Sequence, residues 1–524
     1  MKYLSINFTL VFFLMLTFSC RNLLEHLPKD QLSVSAFWKS KNDFDLALAA
    51  CYSTVQDYYL CTGIQDLDCI SDNGVCAFSY ANEKTINAGI TISSHATDAP
   101  YYSGYSRLAR YNDFIKHLSV YTGADISESD KQNYLAQARL LRAMEYYRLY
   151  IYYGSVPIVT EPLTTETQHA AKSSAADVFK QIVLDCDFAI RNLPDMTFWA
   201  AQGHLTKAAA QMVKARAYIY SGYDEAGNAN TANLQIALDL TNSIISSGKF
   251  ELGNYYRGLF SHSLGQQENN KEYIFAAYFL APNNSKQGLW SFNISTMQFY
   301  WQSVHALPAL LDAYEFSDGT PYNPADPRVD KNSLTKNRDP RMGQTLCKDL
   351  VIWEDGSKSD FDSKYSEVPY LYWKACDLGE VKQNGGVSSQ KQNTSNTAYV
   401  PLIRYAEVLL SHAEALNEIL SAPTKEIYRD INLVRARAKM PPLPDNLSKE
   451  QMRQRIRNER RVELAFEGFR YYDIKRWKIA GEVLNGVNDT FVTRKFESPK
   501  NYLWPLPEQE TRVNKAIKQN SDYQ

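Results

Sequence analysis

The sequence predicts a mostly α-helical protein: a scaffold of stacked helix pairs carrying large irregular loop insertions. Three observations predict it. Apolar residues recur at helical spacing over long stretches of the chain. Small residues, among them Ala208, Ala209, Ala210, Ala215, Ala217, Ala406, Ala413 and Ala415, fall where neighbouring helices must approach closely. Residues 60–103 and 251–400 break the pattern with Asp, Asn, Ser, Gly, Pro and aromatic residues.

The helices follow in order. From Gln132 to Tyr153 a broad apolar face is punctuated by Arg139, Arg142 and Arg148, and Gly154 and Pro157 stop it. Ser174 to Asn192 predicts a second helix, ended by Leu193-Pro194. Thr206 to Tyr220 predicts a third, closed by Ser221-Gly222, and Leu234 to Ile245 a fourth, closed by Ser246-Ser247-Gly248. Leu402 to Leu420 and Ile427 to Ala438 form a further pair. No single pair can bury its apolar face alone, so successive pairs joined by short turns predict a tetratricopeptide-like helical-repeat scaffold with degenerate repeats. The helical pattern resumes at Tyr399, so residues 251–400 read as an insertion in one framework rather than a linker.

Composition narrows the function. The chain has 524 residues, 44% hydrophobic and 22% charged, which fits a folded protein and rules out one small module. Its net charge of −2 gives no basic surplus for nucleic acid. Aromatic content is 13%, with 36 Tyr, more than a core needs; it points to stacking surfaces beside helix-packing tyrosines.

Residues 1–19 read as an export signal. Lys2 is followed by an apolar run from Phe8 to Phe18, too short for a bilayer, which takes about 20 residues. The run ends at Ser19-Cys20, a bacterial lipoprotein cleavage pattern in which Cys20 becomes the lipidated first residue; the alternative is an ordinary signal peptide cut nearby. Residues 20–524 are then expected as one exported domain tethered by its lipid. Cys51, Cys61, Cys69 and Cys76 cluster in the first irregular region, where a disulfide and buried free thiols are both open. No C-x-x-C spacing suggests zinc.

Several stretches together resemble the SusD/RagB family of outer-membrane nutrient-binding lipoproteins of Bacteroidetes. Gln137-Ala138-Arg139-Leu140-Leu141-Arg142-Ala143 through Tyr153-Gly154-Ser155-Val156-Pro157 is similar to the family's first long helix and its exit. Asn270-Lys271-Glu272-Tyr273-Ile274-Phe275-Ala276 resembles its strand-like mid-chain motif. Phe316-Ser317-Asp318-Gly319 resembles its Asp-Gly segment, and both Asp326-Pro327-Arg328 and Asp339-Pro340-Arg341 resemble its Asp-Pro-Arg. Leu402-Ile403-Arg404-Tyr405-Ala406-Glu407-Val408-Leu409-Leu410 and Asn458-Glu459-Arg460-Arg461-Val462-Glu463-Leu464-Ala465-Phe466-Glu467-Gly468, running to Arg476-Trp477, match closely, and the ending Pro505-Leu506-Pro507 to Tyr523 also fits. The matches lie in order along nearly the whole chain. The resemblance implies a non-catalytic, surface-exposed lipoprotein of the outer membrane. It would bind an oligosaccharide and act as the lid of a SusC-like TonB-dependent transporter.

The residues carry their own chemistry beside that. Glu459, Glu463 and Glu467 fall at i, i+4 and i+8, one helix stripe. Paired carboxylates can serve glycosidase chemistry. The stronger reading is structural, with Arg460, Arg461, Arg470 and Arg476 as neutralising partners. The eight histidines are scattered without ligand spacing, His305 and His412 reading as packing or surface residues, and no phosphate loop or nucleophile elbow occurs. No catalytic residue, metal or cofactor is therefore expected. Sugar binding needs aromatic faces for the C–H side of a pyranose and Asp, Asn, Gln or Arg for its hydroxyls. Asp72, Asn73, Phe78, Tyr80, Tyr101 and Tyr102 form such a set in the first irregular region. Trp290, Tyr300 and Trp301, with Phe292 and Phe299 beside them, form another in the second. Trp353, Tyr372 and Trp373 are a reserve set. The alternative ligand is a peptide, held by backbone-type hydrogen bonds in a groove.

Overall fold

The computed structural model describes residues 37–60, 64–78, 81–92, 95–279, 302–330, 333, 335–348, 350–352, 358–360, 369–376 and 398–524. The expected helical scaffold is present. Its long helices are α1 Lys41–Leu60, α2 Asp98–Val120, α3 Glu128–Tyr153, α4 Ala175–Asn192, α5 Lys207–Tyr220, α6 Thr231–Ser246, α7 Tyr405–Ile419, α8 Lys425–Arg437 and α9 Lys449–Glu463. A shorter helix, α10 Arg470–Arg476, follows.

Each long helix packs on the next: α2 on α3, α3 on α4, α4 on α5, α5 on α6, α6 on α7, and α7 on both α8 and α9. The step from α6 to α7 crosses the second irregular region, so the chain leaves the stack after Ser246 and re-enters it beside the helix it left. The alanines named above are buried at these seams. Backbones approach closely there because no larger side chain stands between them.

Local chemistry sets the ends. Ser127 accepts a hydrogen bond from the Asp130 N–H and starts α3 several residues before the apolar periodicity begins. Asn230 does the same for α6 through the Asn233 N–H, and Ser448 and Gln451 close a reciprocal capping box on α9. Gly154 ends α3 at φ +68°, a conformation that glycine adopts without strain.

The reading of Leu402 as helical is corrected. Strand β2, Val400–Arg404, runs up to α7 and pairs antiparallel with β1, Tyr273–Ala277. Arg404 therefore leaves the ladder beside Glu272 and points into the interior. The region 60–103 also holds more helix than expected, since α2 starts at Asp98 and short helices cover Ile64–Cys69 and Asn82–Ala88.

The carboxylate stripe lies in the interior as an ion-pair network, but its partners differ from those expected. Glu463 accepts from Arg404 at 2.6 Å and Arg341 at 2.9 Å, and from Arg437. Glu459 accepts from Arg341 at 2.6 Å and Arg435 at 3.0 Å. Glu467 lies beyond the end of α9 and takes Arg404 and Lys374. Arg460 and Arg476 instead hold Asp473, and Arg461 and Arg470 hold Asp72. Burial pushes the Glu463 carboxyl up, but Arg437, Arg404 and Arg341 outweigh it and hold it well below the usual carboxylate range. Of the two Asp-Pro-Arg copies, the one at Asp339 supplies the interior Arg341, whereas Arg328 lies near the surface over the Phe316 ring.

Candidate ligand-binding site

The structure separates the sequence candidates. Asp72 is buried; Arg470 grips both its oxygens at 2.7 and 2.8 Å and Arg461 lies 2.9 Å away. Burial pushes the Asp72 carboxyl up, yet the two guanidiniums bring it down to about 2. Asn73 is fully buried, donating to Asp68 at 2.6 Å and accepting from Arg461 at 2.8 Å. Tyr101 packs edge-on against Tyr153 in the core. These three residues are therefore committed to holding the fold, which corrects their expected place on a ligand surface. Tyr102 is exposed. Of the reserve set, Tyr372 and Trp373 are buried, the Trp373 indole N–H bonding the Gly343 carbonyl. Cys20, Tyr80, Trp290, Phe292, Phe299, Tyr300, Trp301 and Trp353 lie outside the described residues. Cys51 and Cys186 are free buried thiols, and Cys61 also lies outside the described residues.

Phe78 lines a cavity of about 540 Å³, within the range typical of small-ligand sites. Its lining includes Asn82 and Ala99, both exposed, and the buried Ser303. Its depth lies among α2, α3, α5 and α10. Tyr147 comes from α3, Tyr220 from the end of α5, Tyr472 from α10 and Phe469 from the turn before α10. Tyr152 and Trp504 stack face to face at 4.1 Å on another wall, and the Tyr152 hydroxyl bonds that of Tyr472 at 3.0 Å. Phe469 sits between two guanidiniums, Arg216 and Arg460, each 5.2 Å from its ring.

The cavity's charges are mostly paired already. Arg216 clasps Glu407 at 2.7 and 2.6 Å. Arg460 and Arg476 share Asp473 at 2.8 and 2.9 Å. Arg107 and Arg148 share Glu145 at 2.8 and 2.9 Å. Glu83 differs. It lines the cavity with no ion-pair partner among the described residues, and burial holds its carboxyl above the usual range. Among the described residues the wall thus offers flat rings, pre-paired ions and one unneutralised acceptor. That suits an uncharged, hydroxyl-rich molecule better than an anion.

Sequence reasoning passed over Tyr147, Tyr220, Phe469 and Tyr472. The tyrosines sit at helical spacings like every packing tyrosine around them, so periodicity does not mark them. The local signal is Gly468 at φ +78°, which turns the chain so that Phe469 follows into the cavity wall.

Comparison with known proteins places these features in a wider set. A family model described as "SusD family" matches residues 271–523, and one described as "Starch-binding associating with outer membrane" matches residues 24–219. A SusD-like protein of Formosa agariphila is 27% identical over 550 residues, covering 100% of this chain and 99% of its own. The crystal structure of a SusD-like carbohydrate-binding protein from Bacteroides fragilis is 27% identical and superposes with a TM-score of 0.77, covering 92% of this chain and all (100%) of that one. The surface glycan-binding protein A of Bacteroides uniformis shares the fold, with a TM-score of 0.69 at 21% identity over 93% of this chain and 100% of that chain.

Proposed function

Because this chain belongs to the SusD family, we propose that it is a non-catalytic glycan-binding protein. It associates with the outer membrane through a lipid on Cys20 and passes oligosaccharide to a TonB-dependent transporter at the cell surface. The observation that carries the ligand class is the aromatic cavity with its pre-paired charges. A pyranose can stack on the rings of Phe78, Tyr147 and Tyr220, while Glu83 and Asn82 take hydroxyl hydrogens at the rim. Supporting it, a neighbouring structure carries a carbohydrate-binding description. Another of the same fold, 22% identical with a TM-score of 0.70, is described as laminarin-binding. Tyr80, Trp290, Tyr300 and Trp301, outside the described residues, stay in the proposal as glycan contacts.

The glutamate stripe argues against hydrolysis by those groups, since Glu459 and Glu463 are buried and gripped by arginines. A general acid must instead reach its substrate.

The test is binding of the protein from residue 21 onward to plant, host and microbial polysaccharides, by affinity electrophoresis and calorimetry, with peptide pools alongside. Binding to one glycan class, weakened by Phe78→Ala in a protein that still melts cooperatively, is the expected result. Binding to peptides alone would replace the glycan reading with the peptide one.

A further inference from the structure

A second aromatic feature lies outside the cavity. Tyr278, just past the end of β1, is 37% exposed. Its ring stacks on Tyr399, just before β2, at 4.4 Å with 17° between the planes. Trp199, half-buried, closes the group at 6.4 Å from Tyr278 and 5.8 Å from Tyr399.

The group is rigid. Tyr399 is 4% exposed; its backbone N–H donates to Gln267 Oε1 at 3.0 Å and its hydroxyl to Glu268. The Trp199 indole N–H donates to the Asn270 carbonyl at 2.9 Å, and Gln56 bonds the Tyr278 carbonyl. A ring held from behind in this way loses little freedom when a ligand settles on it, so more of the contact energy appears as affinity. Two exposed polar side chains lie at its border: Glu268, which accepts from the Tyr399 hydroxyl, and His262, whose ring is 6.1 Å from that of Tyr399.

A fixed, partly exposed ring with hydrogen-bonding groups at its edge is the combination a pyranose needs: a flat apolar face and a polar border. Packing alone does not require Tyr278, because Tyr399 already fills the core position beneath it. None of Trp199, Tyr278, Tyr399, His262 or Glu268 lines the cavity. β2 links the two places, since Pro401 and Leu402 form part of the cavity wall while Tyr399 precedes the strand.

We propose that Tyr278, backed by Tyr399 and Trp199, is a second sugar-stacking site, separate from the cavity, that takes a neutral pyranose ring of the captured glycan. This rests on the glycan reading, so the experiment separates the two. The protein from residue 21 onward, its Tyr278→Phe form and its Tyr278→Ile form are run through gels containing the polysaccharide that the wild type retards on. Tyr278→Ile keeps an apolar contact on Tyr399 but removes the flat face. We expect Tyr278→Phe to be retarded nearly as the wild type and Tyr278→Ile to bind roughly three- to tenfold more weakly, with unchanged melting. Retardation of a folded Tyr278→Ile equal to the wild type would overturn the second site and leave the cavity reading standing. Should Tyr278→Ile fail to fold, Trp199→Phe and Glu268→Gln are read the same way, and wild-type retardation in both overturns it. A wild type that no glycan retards would overturn both readings together.

Discussion

Arg404 holds Glu463 twice. Its Nη1 donates to Glu463 Oε1 at 2.6 Å, and its Nη2 donates to the Glu463 backbone carbonyl at 2.9 Å. The second bond satisfies a carbonyl in the last turn of α9, which has no partner within its own helix. One side chain from the end of β2 thus fixes both the charge and the helix end.

Removing the charge should therefore be severe. Glu463→Gln leaves Arg341, Arg404 and Arg437 short of a buried counter-charge. A loss of about 3–5 kcal/mol is expected, read as a lower midpoint in chemical denaturation. A midpoint within experimental scatter of the wild type would show that the network reorganises around the gap.

Two buried groups should tilt stability with pH in opposite senses. Lys475 donates to the Ile151 carbonyl at 2.9 Å, and burial pushes its ammonium down to about 7. Its folded value lies below the unfolded one, so its contribution is full above the unfolded value and disappears as pH falls towards 7. Asp68 accepts from Asn73 at 2.6 Å and from the Gly468 N–H at 3.0 Å, and burial pushes it up to about 7. Its contribution is full below the unfolded carboxyl value and is lost as pH rises to about 7. Lys475→Met should remove the rise in denaturation free energy between pH 7 and 10 that this group supplies. An unchanged slope in that window would count against a depressed lysine.

Cys51 should be silent in the native state. Burial pushes its thiol up to about 12, so little thiolate exists at neutral pH and access is closed. Mass mapping after iodoacetamide treatment should find Cys51 unmodified when native and modified in denaturant. Native labelling as fast as that of a free peptide thiol would contradict the packing of α1.

Glu83→Gln tests the acceptor in the cavity wall that has no ion-pair partner among the described residues. Melting should be unchanged or slightly raised, because a buried carboxyl that lacks a cation is replaced by a neutral amide. Glycan affinity should fall by roughly three- to tenfold, the scale of one ordinary hydrogen bond. Equal affinity at neutral pH would remove Glu83 from the ligand's contacts.

How much of this was legible differs from element to element. The helices were, because Gly154, Leu193-Pro194 and Gly222 mark stops that backbone chemistry enforces, although Ser127 and Asn230 were missed as starts. The strand at Leu402 was not, because its apolar run suits a buried strand as well as a helix. The arginine partners of the stripe are not legible from nearby sequence, because Arg341 and Arg404 arrive from 122 and 59 residues away. Asp72 and Asn73 looked like hydroxyl binders because the same donors and acceptors serve an interior ion pair equally well. The cavity could not be read, since a tyrosine that lines a space and one that fills it have the same spacing.

The seam between α6 and α7 has a temporal consequence. α7 starts roughly 160 residues after α6 ends, so the face of α6 turned away from α5 has no helix to cover it until that much more chain exists. At a synthesis rate of about 5–20 residues per second, the wait is on the order of ten to thirty seconds. During that interval the half-built stack ends in an uncovered surface, and a holding chaperone is the natural cover. Co-expressing a holding chaperone in a chaperone-depleted host should raise yield while leaving the finished protein's melting point unchanged.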